Sequence, residues 1–209
     1  MAGGALLGTS LSTEPGSRKF YVLTSAVAAT WTLGGLASGP LHLGREPGPH
    51  PRRVRWVDRP RPSVAPVLVG GMAFVAFYGC ALLARRIPFL DRAIRRVLRY
   101  EQLGSSRSVL LTTLVNGVAE EIFFRGALYA ALERKHPVAL STLVYSLTTA
   151  STRNPALVVA SGVMGVVFGR QRRSTGGIQA PLLTHVTWST LMLRYLPRLL
   201  RARAELPTH

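Results

Sequence analysis

Two adjacent glutamates and an arginine one helical turn later interrupt a long apolar run. They are Glu120, Glu121 and Arg125, and the residues on both sides are apolar. A carboxylate inside a membrane costs about 2.5–3.5 kcal/mol and is rare without a function. A helix end that emerges into water is the alternative interpretation, and the apolar flanks argue against it. We therefore predict that these acids belong to a functional site.

The spacing along a helix predicts different roles for the two carboxylates. Glu121 and Arg125 are four residues apart, so they can pair on one face and offset part of the cost of burial. Glu120 lies about 100° further around the helix, on the face that Asn116 shares one turn earlier. Glu120 is therefore predicted to be the general base or acid, with Asn116 as a supporting polar residue.

A second polar intrusion lies in the last apolar run, where His185 and Ser189 are four residues apart. These two side chains share one face of a helix. A single histidine in an apolar helix is more often a packing residue than a ligand. The glutamates in the same membrane domain favour the functional interpretation, so we predict that His185 and Ser189 complete the site.

The composition indicates which class of protein must position these residues. The 209 residues include 26 Lys+Arg and 9 Asp+Glu, for a net charge of +17, yet 47% are apolar. The arginines stand in short blocks between uncharged runs, which argues for a membrane protein and against a nucleic-acid partner. The single cysteine, Cys80, excludes a disulfide framework and a cysteine-based zinc site. Only two basic residues are lysines, a skew that we attribute to a GC-rich genome, so we expect a bacterial plasma membrane.

Apolar runs of the length of membrane helices recur along the chain. We predict an all-α, multi-pass membrane bundle of about six transmembrane helices, the fourth and fifth of them short. The arginine-rich segment 85–107 has one apolar face, which predicts an amphipathic helix on a leaflet of anionic lipid; a solvated basic loop is the alternative. Ser161, Gly165 and Gly169 form a small-residue stripe that we interpret as a packing surface. The runs span residues 20–43, 64–84, 108–132, 138–152, 155–169 and 178–193.

The remaining segments predict the domain organisation. Residues 1–19 are interpreted as a flexible tail, 20–199 as the membrane domain and 200–209 as a polar C-terminal tail. The proline- and arginine-rich segment 44–63 predicts an extended polar loop. Arginines flank the second run on both sides, so the positive-inside rule leaves the membrane orientation open. The oligomeric state is also left open by the sequence.

The motifs resemble those of the CPBP family of intramembrane proteases, which includes CAAX prenyl endopeptidases and bacteriocin-processing or abortive-infection proteins. The resemblance rests on Glu120-Glu121-x-x-x-Arg125-Gly, on the glycine-containing helix at 165–169 and on His185-x-x-x-Ser189, and it covers 109–193. Two positions differ from the family pattern. The Phe-x-x-x-His element stands as Tyr145-Ser-Leu-Thr-Thr149, and the final asparagine is Ser189.

The resemblance implies an intramembrane endopeptidase that acts on a peptide or a lipidated protein. Glu120 would activate a water, Glu121 would belong to the same catalytic pair, and His185 and Ser189 would stabilise the oxyanion. Thr149 cannot replace an imidazole as a metal ligand. The sequence therefore leaves two mechanisms open: a divalent metal such as zinc held by Glu120 and His185 with Glu121, and a metal-free glutamate mechanism.

Two other functions are weighed beside the protease. The degenerate positions Thr149 and Ser189 also suit a non-catalytic family member that acts as a membrane immunity or scaffold protein. A proton-coupled transporter with Glu120 as its carrier site is disfavoured because the runs show no internal repeat. We rank the protease first.

Overall fold

The computed structural model describes residues 2–39, 41–44, 64–103 and 106–201, and the secondary-structure elements in this part of the chain are all helices. The prediction of an all-α fold is confirmed. Helix α5 begins as an α-helix at Ser106–Glu120, continues as a π-helix at Glu121–Leu128 and ends with one turn at Tyr129–Ala131. The other helices are α1 (Ala2–Ser10), α2 (Arg18–Ala37), α3 (Val64–Ala84), α4 (Pro88–Leu103), α6 (Pro137–Ala150), α7 (Pro155–Thr175) and α8 (Gln179–Arg201).

Local signals set several helix boundaries. The Ser17 side chain accepts a hydrogen bond from the backbone N–H of Phe20 and caps α2, and Asn154 caps α7 in the same way ahead of Pro155. Gly176 ends α7 with φ at 71°, a left-handed conformation that glycine adopts without steric cost. These boundaries place short turns before α2, before α7 and between α7 and α8.

Among the described helices, α2 and α3 are long and apolar enough to cross a membrane. Helix α6 is apolar but only 14 residues long, which is short for a full span. The expected bundle of six spans is therefore not confirmed.

Helix α3 exposes much of its apolar surface. Leu68, Met72 and Val75 are each more than 60% exposed and lie on a helix with few buried residues. A continuous apolar face of this kind is uncommon on proteins surrounded by water. It fits contact with lipid chains.

The flexible tail predicted for residues 1–19 is wrong for its first part, because residues 2–10 form α1 and pack on α2 and α6. The Ser151 hydroxyl donates a hydrogen bond to the carbonyl of Gly4 at 2.6 Å. Gly3 lies directly against the ring of Trp31, and Gly8 against the backbone of Ser151. Because glycine has no side chain, α1 can approach Trp31 and Ser151 this closely. Amino-acid composition alone does not predict such a contact. The loop predicted at 44–63 lies outside the described residues except for Gly44. The predicted C-terminal tail also lies outside them, except for residues 200 and 201, which belong to α8.

The amphipathic segment forms α4. Ala93 and Leu98 on its apolar side are buried, and Leu98 clusters with Ala81 of α3 and Leu196 of α8. The arginines on the other side are exposed, namely Arg92, Arg95, Arg96 and Arg99. The basic face is therefore exposed, and its contact with anionic lipid headgroups stays a prediction.

The small-residue stripe of α7 lies against α6. Gly165 packs on Thr142 and Gly169 on Val138, and the Ser161 hydroxyl donates to the Ser146 hydroxyl at 3.3 Å. The stripe therefore brings the backbones of the two helices close together, as expected for small residues at four-residue spacing.

Replacing Gly165 with alanine is expected to destabilise the protein by about 1–3 kcal/mol, because the new Cβ must displace a packed neighbour. That Cβ would lie 2.7 Å from Cγ2 of Thr142. The control is Gly162→Ala on the same helix, whose Cβ would meet Ser146 Oγ at an ordinary 3.7 Å. Denaturation in detergent should show a loss for Gly165→Ala and a neutral or slightly stabilising effect for Gly162→Ala. Equal effects of both variants would contradict the close packing.

Candidate active site

The core of the site is an ion pair in the π-helical part of α5. Nη1 of Arg125 donates a hydrogen bond to Oε1 of Glu121 at 3.2 Å, and both side chains are completely buried. The structure thus brings together the two residues whose spacing indicated a pair. A π-helical stretch inside a longer helix is rare and often marks a functional site.

Aromatic rings enclose the guanidinium of Arg125. It lies 4.5 Å from the ring centre of Tyr145 and 5.0 Å from that of Phe168, and both contacts suit cation–π attraction. The backbone carbonyl of Arg125 also accepts a hydrogen bond from Arg172 Nε at 2.9 Å. These contacts fix Arg125 in one position between α5, α6 and α7.

His185 of α8 joins this pair through Glu121. Its Nδ1 lies 2.9 Å from Oε1 of Glu121, and its ring stacks on Phe168 at 4.8 Å between ring centres. A carboxylate at Nδ1 requires a proton there, which leaves Nε2 to act on another group. Nε2 lies beside Gly117 of α5, where a Cβ would come within 3.3 Å. The sequence grouped His185 with Glu120 as metal ligands, whereas the direct contact is with Glu121.

Glu120 has a different environment. Its Oε2 accepts a hydrogen bond from the Tyr145 hydroxyl at 2.7 Å, and the side chain is only partly buried, in contrast to Glu121. One carboxylate is therefore enclosed in an ion pair, and the other is held by a neutral donor at the edge of the site. The motif pattern places Tyr145 only at the start of the degenerate middle element and does not predict this contact. The tyrosine in place of the family's phenylalanine was the available signal.

The other predicted site residues have local roles or flank the site. The Thr149 hydroxyl donates to the carbonyl of Tyr145 at 2.9 Å, which directs it to its own helix. Asn116 donates to the carbonyls of Thr24 and Thr112, so it links α5 to α2. Ser189 is buried one turn beyond His185 and shares its face.

The described residues contain no group of three or more His, Cys, Asp or Glu side chains arranged to bind a metal ion. Oε1 of Glu121 already contacts Arg125 and His185, and Oε2 of Glu120 contacts Tyr145. A catalytic zinc needs about three protein ligands with free donor atoms. Oε2 of Glu121 has no hydrogen-bond partner among the described residues, and a metal held by Glu120, Glu121 and His185 stays a prediction.

Fold and site together define a class: a helical, membrane-type protein with a buried carboxylate–arginine–histidine network beside a second carboxylate. Residues 103–191 match the family model described as type II CAAX prenyl endopeptidase Rce1-like. The match is consistent with a CPBP family protease and confirms the resemblance that the motifs indicated. No curated protein and no solved structure matches the chain.

The matched family consists of membrane-embedded proteases, so the comparison supports both protease activity and a membrane location. The matched segment begins at the end of α4 and ends within α8, and it contains Glu120, Glu121, Arg125 and His185. All the side chains of the network therefore lie inside the part of the chain that resembles the family.

Proposed function

We propose that the protein is an intramembrane endopeptidase that hydrolyses a peptide bond of a membrane-associated or lipidated protein or peptide, using a water activated by Glu120. The observation that carries this proposal is the unequal environment of the two carboxylates. Glu121 is neutralised by Arg125 and contacts His185, whereas Glu120 is partly exposed and bears no direct ion pair among the described residues. Glu120 is therefore the carboxylate that can exchange a proton with water.

The chemistry follows from these positions. Glu120 takes a proton from a water molecule while the oxygen of that water attacks the scissile carbonyl carbon, and a tetrahedral oxyanion forms. The C–N bond then breaks, and the same carboxyl group returns the proton to the leaving amine. The products are a new carboxyl end and a new amino end, so atoms and charge balance without a further reactant.

The oxyanion needs hydrogen-bond donors already in place. His185 can supply one through Nε2 when it is protonated, because Glu121 at Nδ1 compensates the positive charge. The Ser189 hydroxyl on the same helix face is the second candidate donor. Arg125 holds Glu121 in position for His185, and it takes no direct part in proton transfer.

A survey of membrane-protein termini tests the function. Bacterial cells would carry the wild-type chain, Glu120→Gln or Glu133→Gln at equal abundance in the membrane. Glu133 is an exposed glutamate beyond the end of α5, so its amide variant is a matched control. New termini are expected with wild type and Glu133→Gln and not with Glu120→Gln.

The outcomes distinguish the protease from its alternatives. Cleavage that persists with Glu120→Gln would refute the glutamate mechanism, since an amide cannot take up a proton from water. Identical termini in cells with and without the chain would favour the non-catalytic immunity or scaffold protein. The positions of the new termini would name substrates and show whether a lipidated segment lies near the cut.

A further inference from the structure

Tyr145 lies outside the predicted site set and contacts both parts of the site, Glu120 and the ion pair of Arg125 with Glu121. Its hydroxyl donates to Oε2 of Glu120 at 2.7 Å, and its ring faces the Arg125 guanidinium at 4.5 Å. The side chain is buried, and α6, which carries it, packs against the π-helical part of α5. It therefore lies between the buried ion pair and the free carboxylate.

Several contacts restrict the movement of the Tyr145 ring. The ring packs against Phe124 at 4.9 Å between centres, with the planes tilted by 56°. Its backbone carbonyl accepts the Thr149 hydroxyl, which strengthens the same helical turn. A donor held this firmly fixes its acceptor in one orientation at little entropic cost.

Charge explains why Glu120 needs such a donor. Glu121 and Arg125 of the buried ion pair follow Glu120 on the same helix. The guanidinium of Arg125 attracts the Glu120 carboxylate, and the carboxylate of Glu121 repels it. A hydrogen bond from a neutral hydroxyl holds one oxygen in place without adding charge.

We propose that Tyr145 is a positioning residue for Glu120: its hydroxyl holds Oε2 and turns Oε1 towards the water that attacks the substrate. This inference rests on the proposed function. It also assigns a role to the Tyr-x-x-x-Thr variant of the middle motif. The side chain one turn before Thr149 reaches the catalytic carboxylate, while Thr149 itself bonds to its own helix.

The test is the kinetics of purified Tyr145→Phe on a substrate found in the survey of termini. Phenylalanine keeps the ring that contacts Arg125 and removes only the hydroxyl. Loss of a hydrogen bond to a charged group predicts a fall in kcat on the order of 10- to 100-fold. KM should change less than about twofold, because Tyr145 is proposed to act on Glu120 and not on the substrate.

Tyr21→Phe is the matched control. The Tyr21 hydroxyl on α2 is buried and has no hydrogen-bond partner among the described residues, so its removal should leave kcat and KM unchanged. If Tyr145→Phe does not accumulate in the membrane, 3,5-difluorotyrosine at position 145 retains the hydroxyl and changes its acidity. A changed kcat at constant KM is again the expected result.

The two proposals fail in different ways. An unchanged kcat in Tyr145→Phe or in the fluorinated protein, together with loss of activity in Glu120→Gln, overturns the role of Tyr145 and leaves the protease intact. A parallel loss of kcat, substrate affinity and thermal stability in Tyr145→Phe shows a structural role and also overturns it. Absence of cleavage by the wild-type chain overturns the proposed function.

Discussion

Purified Glu120→Gln protein is expected to cleave its substrate about 10²–10⁴-fold more slowly than the wild type, the range that general acid–base groups contribute. The amide oxygen can still accept the hydrogen bond from the Tyr145 hydroxyl, so the fold should be preserved. Single-turnover cleavage in liposomes measures the chemical step directly. Thermal unfolding of the same samples checks that the loss is not a loss of structure.

Glu133→Gln serves again as the control, since it removes a carboxylate near the end of the same helix without touching the site. Its rate should equal that of the wild type. A Glu120→Gln rate within about threefold of wild type would exclude proton transfer by Glu120, whatever the survey of termini shows.

Replacing Arg125 with methionine is expected to reduce the free energy of unfolding by about 3–5 kcal/mol, because the variant leaves Glu121 buried without a compensating cation. Arg125 is completely buried and also contacts Tyr145 and Phe168. Unfolding in mixed detergent, followed by circular dichroism, measures this loss. Activity should fall with stability, since Glu121 loses the cation that holds it in position for His185.

The chain contains a matched control for this ion pair. Arg95 and Asp91 of α4 are also four residues apart and pair at 2.7 Å, but the Arg95 side chain is 49% exposed. Arg95→Met should therefore cost no more than about 0.5 kcal/mol. Glu121→Gln combined with Arg125→Met should recover part of the lost stability, because the uncompensated charge is gone. Equal losses for Arg95→Met and Arg125→Met would contradict the structural role of the buried pair.

The contacts within one helix could be predicted from the sequence. Glu121 and Arg125 meet because residues four apart on a helix are neighbours in any surroundings. The helical class and the amphipathic α4 follow in the same way, since periodicity is a local property. The resemblance to the protease family also depends on short local motifs, which explains why it could be recognised over less than half of the chain.

The number of membrane spans and the structure of the N-terminal residues were harder to predict from the sequence. Apolar runs indicate helices, but whether each helix is long enough to cross depends on where it starts and ends, and α6 is short. The first residues lack a strong pattern. They fold as α1 because their glycines fit against Trp31 and the end of α6, a contact between segments far apart in sequence.

The sequence by itself predicted the side chains that we propose to carry the chemistry. They are two glutamates, an arginine and a histidine, polar groups whose burial among apolar residues is costly and rare without a function. Only the tertiary structure decided their partners. The packing of α8 and α6 against α5 directs His185 to Glu121 and the Tyr145 hydroxyl to Glu120. Such contacts depend on how helices rotate and approach one another. Spacing along a single helix carries no information about that arrangement.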